Sequence, residues 1–225
     1  MSALPGQDAP LNAGASPFSV QHLSTRPAIE TNLSSYTWTG VPFGEEDPDR
    51  YIHIAFTGLK AASGLPSQVT IAGVEAAIVN HVGSGAWSHV FHAYAKVPEG
   101  TSGSVVCQFS STQDAGVIDV YRVVNPGNLP TTGNDSYYAA SSGVTSISVS
   151  PALSEGSYVI ANTKADNANA VTWTNLDEQF DVAFANGNRR ASAAFRQTDV
   201  SGVKTLTVAG SGSTLRRIHA IEWLP

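Results

Sequence analysis

From Ser34 almost to the last residue, apolar and polar side chains in this chain alternate with a period of two. In "SSYTWTGVPFGEEDPDRYIHIAFTG", Tyr36 and Trp38 share one face while Thr37 and Thr39 take the other. Ile52, Ile54 and Phe56 then oppose Tyr51, His53 and Ala55. Side chains switch sides at every residue only in extended backbone, so the pattern calls for strands. They are expected at 35–41, 50–57, 67–72, 75–82, 88–97, 103–109, 116–125, 144–149, 157–163, 169–174, 178–185, 190–197, 203–208 and 214–223. Turn formers such as the Gly, Pro and Asp of "GEEDPD" separate nearly all of them. Many short strands at regular spacing predict an all-β fold, a jelly-roll-like antiparallel β-sandwich.

A faint internal repeat underlies the strands. "VTIAGVEAAIV" (69–79) aligns with "VTWTNLDEQFD" (171–181), and the flanks follow in the same order. "RYIHIAFT" answers to "SYVIANTK", "HVFHAYAKV" to "RASAAFRQT", "GSVVCQFS" to "VKTLTVAG" and "GVIDVYRVV" to "TLRRIHAIEW". Two similar antiparallel units, about 35–125 and 144–225, packed face to face would form the sandwich by internal duplication.

Residues 1–33 differ from the remainder. Pro5, Pro10, Pro17 and Pro27 and the scarcity of alternation describe an extended N-terminal arm, with the sandwich over 34–225. Within the arm "FSVQHL" has room for one short strand. Its apolar residues Leu11, Phe18, Val20, Leu23 and Ile29 are the candidates for docking in grooves of a neighbouring subunit.

Composition narrows the function classes. A chain of 225 residues is long enough to fold without staples, and its one cysteine, Cys107, allows no disulfide within the chain. Cys107 in "SVVCQF" shares a strand face with Val105 and Phe109, which makes it a buried small hydrophobe. Charged residues make up 13% of the chain, about half the usual share, so the surface is largely Ser, Thr, Asn, Gly and Ala. That surface suits an extracellular or assembly-bound β protein. A net charge of −6 with scattered basic residues argues against nucleic acid. No apolar run reaches the length of a membrane helix, and the N-terminus lacks the basic start and apolar stretch of a signal peptide, so synthesis in the cytosol without ordinary export is expected.

No chemical motif emerges. Glu45, Glu46, Asp47 and Asp49 crowd one connection, but consecutive side chains diverge, Pro48 interrupts them and no distal Glu closes a calcium loop. His22, His53, His81, His89, His92 and His219 include no His-x-His pair, and His89 and His92 point to opposite strand faces, so no metal or cofactor is expected. His53 and His219 alternate with apolar residues and fit the more polar strand face. "GSGAWS" and "GSGST" lack the nucleophile elbow, and no phosphate-binding loop occurs. Asp119, Glu178 and Asp181 are the carboxylates an acid–base pair would draw on, without distinguishing context. Trp38, Trp173 and Trp223 lie inside strands and fit a core. Trp87, Tyr137 and Tyr138 fall on expected loops and are the candidates for exposed contacts to sugar or protein.

"YTWTGVPFG…DRYIHIAFTG", "SQVTIAGVEAAIV", "GVIDVYRVV" and "AVTWTNLDEQFD" resemble β-sandwich proteins found among tailed-phage and prophage virion genes of alphaproteobacteria. In that family a Tyr-Thr-aromatic-x-Gly-Val-x-Phe-Gly start leads into Asp-Arg-Tyr-Ile. The resemblance covers about Ser34 to Pro225 and implies no catalytic residue. It implies a non-enzymatic virion protein on the capsid surface, a capsid-decorating (cement) or head-fibre protein that binds the major capsid protein and copies of itself. A trimer is expected by analogy with decoration at threefold positions. A tail or baseplate protein ranks next, then a carbohydrate-binding module for host glycans, and a polysaccharide-degrading enzyme last.

Overall fold

The computed structural model describes residues 16–59, 66–79, 88–131, 136–167, 169–185, 189–210 and 215–225; the side chains of 88–89, 136–143 and 215–216 lie outside that description. Among the described residues the chain is all-β and antiparallel, without a helix. The first nine strands are β1 (Ser19–Thr25), β2 (Leu33–Pro42), β3 (Arg50–Leu59), β4 (Pro66–Ile71), β5 (Val74–Glu75), β6 (Ala77–Val79), β7 (Ser88–Lys96), β8 (Ser102–Gln113) and β9 (Ala115–Val124). Ten more follow: β10 (Ser136–Val144), β11 (Ser146–Val149), β12 (Ala152–Leu153), β13 (Tyr158–Ala165), β14 (Val171–Thr174), β15 (Asp177–Phe184), β16 (Arg189–Gln197), β17 (Gly202–Val203), β18 (Leu206–Gly210) and β19 (Leu215–Trp223).

Strand order reveals the repeat. One sheet runs β1-β9-β3-β7-β6 and faces β2-β8-β4-β5; another runs β10-β19-β13-β16-β15 and faces β11-β18-β14. Each β1-to-β9 position has its counterpart in the same sheet position of the second half, save the short β5 and the added ribbon β12–β17. The chain crosses between paired sheets at nearly every connection, which is jelly-roll connectivity. Even the turns correspond, since Gly73 (φ 79°) and Asn175 (φ 67°) take the same left-handed conformation in aligned positions.

The two repeats pack face to face as expected, but they do not make one sandwich between them. Each repeat is a sandwich with its own core. Tyr36, Trp38, Ile54, Phe56, Phe91, Cys107 and Ile118 fill the first, and Ile147, Val159, Leu206, Val208 and Ile218 the second. The two sandwiches then stack through the β1-β9-β3-β7 and β10-β19-β13-β16 sheets. Burial follows this four-layer order. The outer strand β2 alternates exposed and buried residues, whereas every residue of β3 from Ile52 to Leu59 is buried, because a second sandwich covers its other face.

The stacked faces meet reciprocally. Tyr121 on β9 packs its ring against Phe195 on β16 at 5.6 Å, and His92 on β7 meets His219 on β19 at 4.8 Å. Since β9 corresponds to β19 and β7 to β16, the contact has the self-complementary form of an isologous dimer interface, here within one chain.

The arm's boundary also moves. β1 lies in the expected arm yet pairs with β9 from Ser19↔Val124 to Thr25↔Asp119. Further on, Ile29 exchanges both backbone hydrogen bonds with Gly116, at 2.9 and 3.0 Å. Residues 19–33 thus complete the first sandwich, and β1 is the counterpart of β10.

Candidate functional site

Half of the expected contact residues pack inside the chain. Val20 is buried with Tyr121, Val123 and Trp223, and Phe18 sets its ring edge-on to Tyr158 at 5.5 Å. Leu23 and Ile29 pack on the first core. Val20 is buried and Phe18, Leu23 and Ile29 are partly buried within the chain, Phe18 and Val20 reaching residues of the second sandwich, so these four pack internally and do not stand out on a separate arm. Leu11 and Trp87 lie outside the described residues. Tyr137 and Tyr138, expected on a loop, have their backbone in β10, paired with His219 and Ile218.

The acidic connection is organised by a residue that sequence reasoning passed over. Arg50 is fully buried, and its guanidinium donates to the carbonyls of Val97 (2.7 Å), Glu45 (2.7 Å), Gly100 (2.6 Å), Glu99 (2.9 Å) and Gly44 (3.1 Å). It welds the 43–45 turn to the 97–100 turn, and among the described residues no carboxylate lies within ion-pair distance of it. The carboxylates stand around this weld: Glu46 accepts from Gly100 N, Asp49 pairs with Lys96, and Asp47 accepts from Ser16 Oγ and Asp49 N. Those bonds to Asp47 hold its carboxyl below the usual range. The four carboxylates each serve a local turn contact or face solvent, and the expectation of an ordinary turn agrees with this geometry.

The densest cluster of polar groups lies between the sandwiches. Trp223 Nε1 donates to His53 Nδ1 at 3.1 Å, His53 Nε2 lies 3.0 Å from His92 Nδ1, and His92 Nε2 lies 3.3 Å from the His219 carbonyl. An indole N–H can only donate and a carbonyl can only accept, so both ends dictate the same assignment. His53 and His92 are each neutral with the proton on Nε2, and the three bonds run one way from Trp223 to His219. Burial, with the neighbouring histidines, pushes His53 down to about 3 and His92 well below its ordinary value. Both nitrogens of both rings are occupied, leaving no lone pair for a metal or substrate. His53 and His219 do occupy the more polar face of their strands, and the stacking of the two sandwiches buries that face.

Beside this chain, buried Asp119 on β9 accepts from His22 Nε2 (2.7 Å), Thr25 Oγ1 (2.8 Å) and Tyr121 Oη (2.5 Å). Burial and Asp119 together push the Tyr121 phenol well up. Across the layer Asn162 Nδ2 donates to Phe56 O at 2.7 Å, and buried Lys164 pairs with Asp166. The other carboxylates considered for acid–base work stand apart from Asp119. Asp181 is paired with Arg190 at 2.8 Å, while burial and the adjacent Asp181 raise the Glu178 carboxyl. Burial also pushes up the Cys107 thiol. Among the described residues no group of three or more His, Cys, Asp or Glu side chains is arranged to hold a metal.

Open space occurs at one end of the second sandwich. Grooves of about 690 and 410 Å³ flank the β12–β17 ribbon. The larger has a floor of Leu153, Val159 and Ile221 and a rim of Asn128, Leu129, Thr131, Ser150 and Glu222. The smaller is lined by Arg196, Asp199, Val203 and Lys204 among others. Among the described residues, the exposed apolar side chains Leu129 and Val203 line these grooves, and the exposed Val200 follows groove residue Asp199 in the chain. The corresponding corner of the first sandwich is the one sealed by Arg50. Concave and partly apolar, with neutral groups and the charged Glu222, Arg196, Asp199 and Lys204 at its edges, this end has the chemistry of a binding surface. No protein-family model matches the chain, and no match was found among curated proteins.

Proposed function

We propose that the chain is a structural, adhesive subunit of a tailed-phage particle, a capsid-decorating or head-fibre protein that binds the major capsid protein and copies of itself, with a trimer as its working assembly. One observation carries this reading: among the described residues, two jelly rolls stacked within one chain lock His53, His92 and Asp119 into internal bonds and leave one groove-flanked, valine-bearing end open. Jelly rolls serve viral capsids and lectins alike, a fold-level analogy that raises this reading without deciding it. The low charge and hydroxyl-rich surface fit life in an assembly. Because Phe18, Val20, Leu23 and Ile29 are committed internally, the adhesive surface is assigned to the β12–β17 end.

The test is reconstitution: purified protein is added to particles lacking it, and bound protein is quantified against the major capsid protein. Saturable binding lost in Val203→Asp supports the reading, and no binding to heads contradicts it. Binding to tails alone would favour a tail or baseplate role. One observation favours glycan binding as a second reading, the neutral Asn128, Thr131 and Ser150 rim of the larger groove. Retention on a glycan array, lost in Asn128→Ala, would select it.

A further inference from the structure

We propose that the one-way hydrogen-bond chain Trp223–His53–His92–His219 is an acid-sensitive latch that holds the two sandwiches together and releases them when a proton enters it. Trp223 N–H faces His53 Nδ1, and His53 Nε2–H faces His92 Nδ1. A proton added to His53 Nδ1 would point at the indole N–H. A proton added to His92 Nδ1 would point at the His53 N–H. Either event sets donor against donor and breaks a bond that crosses or supports the interlayer, since β3 and β7 belong to the first sandwich and β19 to the second.

The surroundings offer the proton little compensation. β3 contributes Tyr51, β7 contributes Tyr94 and β9 contributes Tyr121 and Asp119 to this layer; from the other side come Asn162 and Lys164 of β13, His219 and Arg217 of β19, and Phe195 of β16. The carboxylate, Asp119, sits in the same cross-strand row as His92 with Ala55 between them, and its oxygens are already taken by His22, Thr25 and Tyr121. Lys164 and Arg217 are themselves cationic and oppose a further positive charge.

The sign follows from linkage. His53 and His92 are neutral when the sandwiches are closed and regain an ordinary value near 6.5 when exposed. The closed form is therefore fully favoured above that value and loses ground as the pH falls toward about 3. Each jelly roll has its own core, so opening the interlayer leaves both sandwiches intact.

The experiment is small-angle scattering of the full chain between pH 7 and pH 3, with far-ultraviolet circular dichroism recorded alongside. The expected result is a reversible elongation while the β spectrum persists. In the triple variant His53→Phe, His92→Leu and Trp223→Phe, which removes donors and acceptors together, the midpoint should fall by about one pH unit or more. An unchanged midpoint would overturn the latch. If that variant does not fold, nitrogen-15 spectra of wild-type imidazoles decide. Both His53 and His92 must show the Nε2–H tautomer down to the onset of elongation, and an imidazolium signal from either ring in the closed form would overturn the proposal.

Discussion

Arg50 and Ser157 occupy the same position in the two copies of the fold, and only Arg50 seals its corner. Arg50 opens β3 and Ser157 immediately precedes β13, and each accepts the same backbone bond, Val97 N to Arg50 O at 3.1 Å and Thr198 N to Ser157 O at 2.8 Å. Arg50 gathers the carbonyls of both adjoining turns around a buried cation. Ser157 has only a hydroxyl, which donates to Ser154 O at 2.7 Å and meets Thr198 Oγ1 at 3.0 Å. The second corner therefore stays open, spanned by the β12–β17 ribbon with a groove on either side.

This asymmetry predicts unequal mutational effects. Arg50→Met strands several buried carbonyls and should destabilise by about 3–5 kcal/mol, whereas Ser157→Ala should remove about 1 kcal/mol. Chemical denaturation of the two variants is the check. Similar losses would show that Arg50 is not the clasp of its corner.

Phe56 makes a second test of packing. Its ring lies over Gly58 and Gly116, where an added Cβ would fall 2.5 Å and 2.9 Å from ring carbons. Gly116→Ala should therefore cost about 1–3 kcal/mol by overpacking. A melting temperature equal to wild type would mean that the ring has room to move.

Removing residues 1–33 should not leave the fold intact. β1 pairs along β9 and covers Tyr121 and Val123, so its loss exposes apolar surface and a long strand edge. The melting temperature should drop by about 10 °C or more if several kcal/mol are lost. An unchanged melting temperature would show that β1 adds nothing to the first sandwich.

Cys107 should be silent toward thiol reagents in the native protein. It is fully buried in the first core, and burial favours the thiol over the reactive thiolate. Ellman's reagent should titrate it only after denaturation, and rapid labelling of the native protein would contradict its placement.

How much of this was legible in the sequence depended on the strand. Alternation located β2 and β8, because these outer strands keep one face in water. The repeat alignment anticipated the equivalence of β3 with β13 and of β9 with β19. It missed β1 and β10, which are the same strand of each copy. β1, with His22, Ser24 and a bulge after His22, shows little alternation to read. The interlayer was also missed. A period of two separates two faces but does not say which one meets water, so the burial of His53, Asp119 and His219 could not be read from it. Their assembly from β3, β9 and β19 depends on the stacking of sandwiches, for which the one hint was the duplication itself. Arg50 gave no signal beyond opening a strand.

Copies of this protein per purified particle, counted by quantitative mass spectrometry against the major capsid protein, test the central claim most directly. The account predicts hundreds of copies per particle, in a simple ratio to capsid sites. Absence from particles, with the protein recovered only in the soluble lysate fraction, would contradict it.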